Sequence, residues 1–295
     1  MRIPYDVVRD GLSAINHAAE EMALAQQQVS SGQRIMRAGD DPLGTQQAVL
    51  ERAGLGSTDA YLSSRDAAAS RLASADSVLA SFGDRLASVI STGLSARGSS
   101  ITPAARAAAS AEVRGLRDSL LADINSSFGG VPLFGGTQSN IAAYASVNGA
   151  WTYQGTSDTA KIEVEHGRLV AITFDGQALA QGTDTADVFT LLDQLANAID
   201  IGDDAAMAAA VAGAERALDR TFRMQGQLGA DERGLDEASI RLSVMRQAGE
   251  ARRSKIEDTN MAEAITRLTK AETAYRAALG SVSLAEKTSL LDYLR

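Results

Sequence analysis

Proline, the residue a helix interior tolerates least, stands at positions 4, 42, 103 and 132 and nowhere in the 163 residues that follow. An interior proline costs a helix about 3 kcal/mol, so proline-free segments rich in Ala and Leu can run as long helices. Two of the prolines sit where helices start. In Asp41-Pro42 and Thr102-Pro103 a capping side chain precedes a proline at the first helical position. The pattern predicts helices over about 5–30, 43–95, 103–125 and 203–250. The last would be ~70 Å long at the helical rise of about 1.5 Å per residue.

Between Asp123 and Asp158 the character changes, with 34 consecutive uncharged residues rich in Gly and Ser. The alternating runs 161–165 and 170–174 follow, and turn signals stand at Asn148-Gly149, His166-Gly167 and Asp175-Gly176. These read as β-hairpins. Helical periodicity returns beyond Asp184. The fold class expected is mainly α and elongated: long antiparallel helices, terminal coiled-coil helices that pair, and a small β-hairpin insert. The division expected is a terminal coiled-coil domain (1–42 and 251–295), a long-helix rod (43–140 and 184–250) and an insert (141–183). Local hairpins whose ends can lie close together predict an insert that could be deleted without unfolding the rod.

Both ends carry an apolar seam at alternating steps of four and three. The N-terminal seam is Val8, Leu12, Ile15, Ala19, Met22, Gln26 and Val29; the C-terminal one is Met261, Ile265, Leu268, Glu272, Tyr275, Leu279 and Val282. Two matching seams of about three heptads each predict mutual pairing. So short a pair is marginal in water, and neighbouring subunits would complete it. The candidate assembly residues are Val8, Leu12, Ile15, Met22, Val29, Ile265, Leu268, Tyr275, Leu279 and Val282, with Leu290, Leu291 and Leu294 at the tail.

Several function classes are disfavoured. Net charge is −9 and no Lys/Arg block offers the phosphate contacts that nucleic acid requires. There is no cysteine, hence no disulfide framework and no thiolate chemistry. No apolar stretch reaches the ~20 residues of a membrane span, and charges occupy the place of a signal peptide's apolar core. His17 and His166 are the two histidines, neither with a partner at metal-ligand spacing. Gly54-Leu55-Gly56 begins like a dinucleotide loop but follows a helical segment and lacks the third glycine. Asp40-Asp41 is explained by a helix cap. No enzyme, cofactor or metal site is predicted.

Ser30-Ser31-Gly32-Gln33-Arg34-Ile35 followed by Asp40-Asp41-Pro42 resembles the N-terminal signature of the bacterial flagellin superfamily. The Asp-Asp-Pro form, Leu133-Phe134-Gly135-Gly136-Thr137 and Tyr153-Gln154-Gly155 look like its hook–filament junction branch. So do the tail segments Asp258-Thr259-Asn260-Met261-Ala262-Glu263-Ala264-Ile265 and Ser289-Leu290-Leu291-Asp292-Tyr293-Leu294. The resemblance implies a structural subunit at the extracellular hook–filament junction, exported through the flagellar type III apparatus without a cleaved signal. Its terminal helices would line the inner tube and its insert would face outward. The partners implied are other copies in a ring, the adjoining hook-associated junction protein, flagellin, and an export chaperone of the FlgN type. Flagellins usually place Asn where Met36 stands, and Asp-Asp-Ala rather than Asp-Asp-Pro. A short flagellin is therefore the alternative reading; a non-flagellar helical scaffold or adhesin is the alternative from another class.

Overall fold

The computed structural model describes residues 5–98 and 101–293, with side chains over 9–98 and 101–284. The order of elements is α1 (Tyr5–Ser31), α2 (Pro42–Ser95), α3 (Pro103–Ile124), β1 (Ser127–Phe128), β2 (Val131–Pro132), β3 (Tyr144–Val147), β4 (Ala150–Tyr153), β5 (Lys161–Glu165), β6 (Arg168–Ala171), α4 (Gly176–Ala180), α5 (Val188–Ile201), α6 (Asp204–Glu257) and α7 (Met261–Tyr293). The mainly helical class is as expected. The proline-marked starts are real caps: Ala105 N donates to Thr102 Oγ1 at 3.2 Å and Gly44 N to Asp41 Oδ1 at 2.8 Å.

The six strands form three separate antiparallel pairs, β1–β2, β3–β4 and β5–β6. Asn148-Gly149 and His166-Gly167 turn two of them, as the sequence indicates. Asp175-Gly176 does not turn a hairpin. The Asp175 carboxylate accepts from Gln177 N at 2.8 Å and caps α4. Asp-Gly suits a turn and an N-cap equally, and capture of the Gln177 amide decides for the cap. The strand expected over 170–174 lies at Arg168–Ala171 instead, and Phe174 N donates to Leu133 O at 2.8 Å.

The chain divides into two compact units, Met1–Thr58 with Val244–Arg295, and Asp59–Ser243. The core of the second unit is organised by α2, whose Ala68, Leu72, Ala75, Leu79, Phe82, Leu86 and Val89 are fully buried at heptad steps. Ala214, Ala217, Thr221, Leu228, Leu235, Ala238 and Leu242 give α6 a comparable buried stripe. Buried Val113, Leu120 and Ile124 come from α3, and Phe189, Leu192, Leu195 and Ile199 from α5, whose helix lies against α3. The same cluster takes in Tyr144, Val164, Val170, Phe174 and Leu179. Hairpin residues are thus buried in the same cluster as the helices, and deletion of 141–183 would take these five side chains out of it.

Arginine secures this arrangement by donating to backbone carbonyls. Arg71 Nε reaches Ile172 O at 2.5 Å and its Nη2 reaches Pro132 O at 3.3 Å; Arg220 bonds Leu179 O at 3.1 Å and Ala180 O at 3.2 Å. A planar fork can serve two acceptors at once where an ammonium offers a single point. The two sequence motifs Leu133–Thr137 and Tyr153–Gly155 touch: Tyr153 Oη donates to Phe134 O at 3.1 Å and Thr156 N to Gly135 O at 3.2 Å. Gly136 has φ +63° there, and a Cβ would collide with Thr156 O.

Candidate assembly interface

The first unit is held by a joint between two segments far apart in sequence. Gln33 and Asp258 form an antiparallel bridge, with Arg34 N donating to Glu257 O at 2.6 Å and Thr259 N to Gly32 O at 2.9 Å. Arg34 Nη2 bonds Ile256 O at 2.8 Å while its Nη1 pairs with Asp41 Oδ2 at 3.0 Å. The Asp40 carboxylate accepts from Arg37 N at 2.8 Å and Met36 N at 3.1 Å. Glu257, its side chain 7% exposed, meets Arg52 Nη2 at 2.8 Å. Gly32-Gln33-Arg34, Asp40-Asp41 and Asp258-Thr259 are therefore one constellation, and both aspartates are occupied in hydrogen bonds that need no metal. Among the described residues no group of three or more His, Asp or Glu could hold a metal ion.

The Gly44 amide, and next Arg34, hold the Asp41 carboxyl below its ordinary value. A carboxyl depressed in the folded state contributes stability above its unfolded value, and loses it as pH falls through the lower folded one. Asp41→Asn should therefore flatten the acid limb of the stability curve below about pH 4, near the unperturbed carboxyl value. Denaturant midpoints measured across that range check it.

Beyond the joint α1 lies against α7, antiparallel, with Gly11 beside Val282 and Gln28 beside Arg267. Most of the residues buried in the contact are small. Ala18, Ala25, Ala264 and Ala271 are buried along it, and a Cβ on Gly11 would come within 2.7 Å of Val282 Cγ2. Of the seam residues expected from sequence, Ile15, Met22, Val29, Leu268, Tyr275 and Val282 are half-buried. Leu12 (52%), Ile265 (50%) and Leu279 (44%) are exposed. Val8, Leu290 and Leu291 lie where no side chain is described, and Leu294 lies outside the described residues. The buried line of each helix thus runs along one edge of the predicted seam, and the large aliphatic residues of the other edge remain in water.

Sequence reasoning missed a second apolar surface in this unit. Leu43, Val49 and Leu50 on α2 and Val244 and Met245 on α6 are all more than half exposed. Leu55, Val244, Met245 and Gly249 line a groove of about 330 Å³, with Glu51 and Arg252 paired at 2.9 Å at its edge. The spacing of Leu43 and Leu50, one heptad apart, was the available signal. His17 is exposed, 3.7 Å from Glu21. Among the described residues no helix is long and apolar enough to cross a membrane.

The family model of the bacterial flagellin N-terminal helical region matches residues 10–139, and that of the C-terminal helical region matches residues 211–294. Together they take in more than two thirds of the chain. No curated protein matches it. Among solved structures, a Vibrio parahaemolyticus protein described as flagellar hook-associated is 20% identical over 74% of this chain and 100% of its own, with TM-score 0.70. The flagellar junction protein FlgL of Legionella pneumophila is 15% identical over 72% of this chain and 99% of its own, at 0.61. FlgL of Bacillus cereus is 15% identical over 70% and 99%, at 0.60. At these identities the likeness is one of fold.

Proposed function

The chain belongs to the bacterial flagellin family, and from that premise we propose that it is a structural subunit joining the flagellar hook to the flagellin filament. The observation that carries this reading is the unequal pairing of α1 and α7: alanine buried, one edge of large residues from Ile15 to Val29 and from Leu268 to Val282 half-buried, and Leu12, Ile265 and Leu279 outside. Burying an aliphatic side chain is worth about 1.5–3 kcal/mol, so an exposed row of them favours a covered state over the free chain. Copies of the chain arranged in a ring would cover it. The likeness in fold to hook-associated and junction proteins favours the junction over the filament.

In this role Val8, Leu12, Ile15, Met22, Val29, Ile265, Leu268, Tyr275, Leu279, Val282, Leu290, Leu291 and Leu294 form the assembly interface. The terminal domain, 1–42 with 251–295, lines the inner tube; 43–140 with 184–250 forms the shell around it; 141–183 faces outward. The adjoining hook-associated protein lies on one side and flagellin on the other, and an FlgN-type chaperone escorts the chain to the type III apparatus. The role requires no catalysis.

Electron microscopy of cells lacking the protein tests this. Bare hooks with flagellin shed into the medium are expected. Intact junctions lacking only the filament would identify a short flagellin instead, and unchanged flagella would refute both.

A contact whose buried hydrophobic members are alanines, with its larger side chains only half-buried, holds two helices weakly, because each methyl contributes only about 0.8 kcal/mol. In the free protein trypsin is therefore expected to cut at Arg267, Lys270 and Arg276 well before Arg71 or Arg117, whose second unit has a continuous core. Gel electrophoresis with mass mapping over a digestion time course checks the order. Equal rates at the two groups of sites would contradict it.

A further inference from the structure

Asn148 and Gly149 form the two-residue turn between β3 and β4, with Val147 and Ala150 paired on either side. Both are exposed, with φ +54° and +83°. Asn148 is the one non-glycine residue with positive φ among the described residues. Neither its side-chain amide nor the Gly149 N–H enters a hydrogen bond among the described residues.

At Asp175, Asn125 and Asn260 the side-chain carbonyl is tied down. At Asp175-Gly176 the carboxylate accepts from Gln177 N at 2.8 Å and Gly176 N donates to Phe134 O at 3.0 Å. Asn125 bonds Tyr144 through both amide atoms, at 2.8 and 2.9 Å, and Ser126 N donates to Asp123 O at 3.0 Å. Asn260 Oδ1 accepts from Ala262 N at 3.1 Å.

We infer that Asn148 is a site of spontaneous deamidation and isoaspartate formation in the folded protein. The Gly149 nitrogen gives its proton to hydroxide and attacks Asn148 Cγ. The N–Cγ bond forms, the Cγ–Nδ2 bond breaks, and ammonia leaves with a proton taken from water. The succinimide ring so formed then adds water at either carbonyl. Opening one way gives aspartate; opening the other way gives isoaspartate, in which Cβ has become a backbone atom. The net change is replacement of NH2 by OH, with water the sole co-reactant. The longer backbone no longer fits a two-residue turn, so the Val147–Ala150 pairing is lost and a carboxylate is left at the hairpin tip.

The test is to age the full-length protein in warm, mildly alkaline heavy-oxygen water and map the peptides by fragmentation that separates aspartate from isoaspartate. Conversion at Asn148 is expected to run about tenfold or more ahead of Asn125, Asn140 and Asn260, since the absent side chain of Gly149 leaves its nitrogen open to approach. Both products should carry heavy oxygen. Asn148→Gly, which keeps the positive φ, should remove isoaspartate from that peptide. Ageing in denaturant should bring out isomerisation at Asp175, which the folded chain suppresses. Equal rates at the four asparagines, aspartate without isoaspartate, or an Asp175 as reactive folded as unfolded would each overturn the inference.

Discussion

Replacing Ile265 and Leu279 together by Asp should leave the free protein's stability within about 0.5 kcal/mol of the parent and abolish the junction. Both side chains are about half in water already, so the monomer loses little when they become polar. In an assembled ring the same positions would be covered, and each substitution would forgo about 1.5–3 kcal/mol of apolar burial. It would add the cost of a buried, unpaired carboxylate, several kcal/mol more. Because about 1.4 kcal/mol is tenfold in affinity, the pair should weaken subunit association by more than about ten-thousandfold. Thr273→Asp, an exposed change on a different face of α7, should assemble normally. The measurement is the fraction of flagellin shed into the medium at matched secreted levels of each variant. Normal filaments on the Ile265/Leu279 variant would show that the exposed edge takes no part in assembly.

Phe189→Ala should destabilise the second unit by about 3–5 kcal/mol, the usual cost of emptying a buried aromatic site. Phe189 is fully buried, its ring 5.0 Å from that of Tyr144 and 6.1 Å from that of Trp151. It therefore ties β3 and β4 to α5 in one contact. The expected result is an unfolding transition shifted to lower denaturant, in which helical ellipticity and Trp151 fluorescence fall together. Trp151 is the only tryptophan in the chain. It donates to Asp193 Oδ2 at 3.0 Å and lies under the Arg117 guanidinium, so it senses the same packing. Separate transitions for the two signals would mean that the hairpins fold apart from the helices.

Single-residue chemistry made much of the fold legible in the sequence. Pro42 and Pro103 with their caps located two helix starts, and Asn148-Gly149 located a hairpin, because each depends on its immediate neighbours. Contacts among small residues were less visible. The seam at the ends is visible in its large aliphatic residues, which are at most half-buried, whereas Ala18, Ala25, Ala264 and Ala271 are the hydrophobic residues buried in the α1–α7 contact. An alanine is buried or exposed with almost equal ease, so its periodicity says little until the partner helix is known. The sharpest heptad among the described residues, Ala68 to Val89, is inconspicuous in the sequence for the same reason, since every other member before Phe82 is alanine. The joint could not be derived from spacing at all. Arg34 meets Ile256 and Asp41 through geometry that only the folded chain supplies, although the resemblance had already singled out both segments.

The bridge between Gln33 and Asp258 also sets a timetable. At a synthesis rate of about 5–20 residues per second, roughly 10–45 s separate the emergence of these two residues. Throughout that interval Leu12, Ile15, Met22 and Val29 have been made and α7 has not. Helix α1 thus leaves the ribosome long before its partner α7. Its apolar edge must be tolerated, or shielded by something else, throughout that interval. A chain interrupted anywhere before Glu257 carries that edge permanently, which makes truncated products of this protein a more severe aggregation hazard than their length alone would suggest.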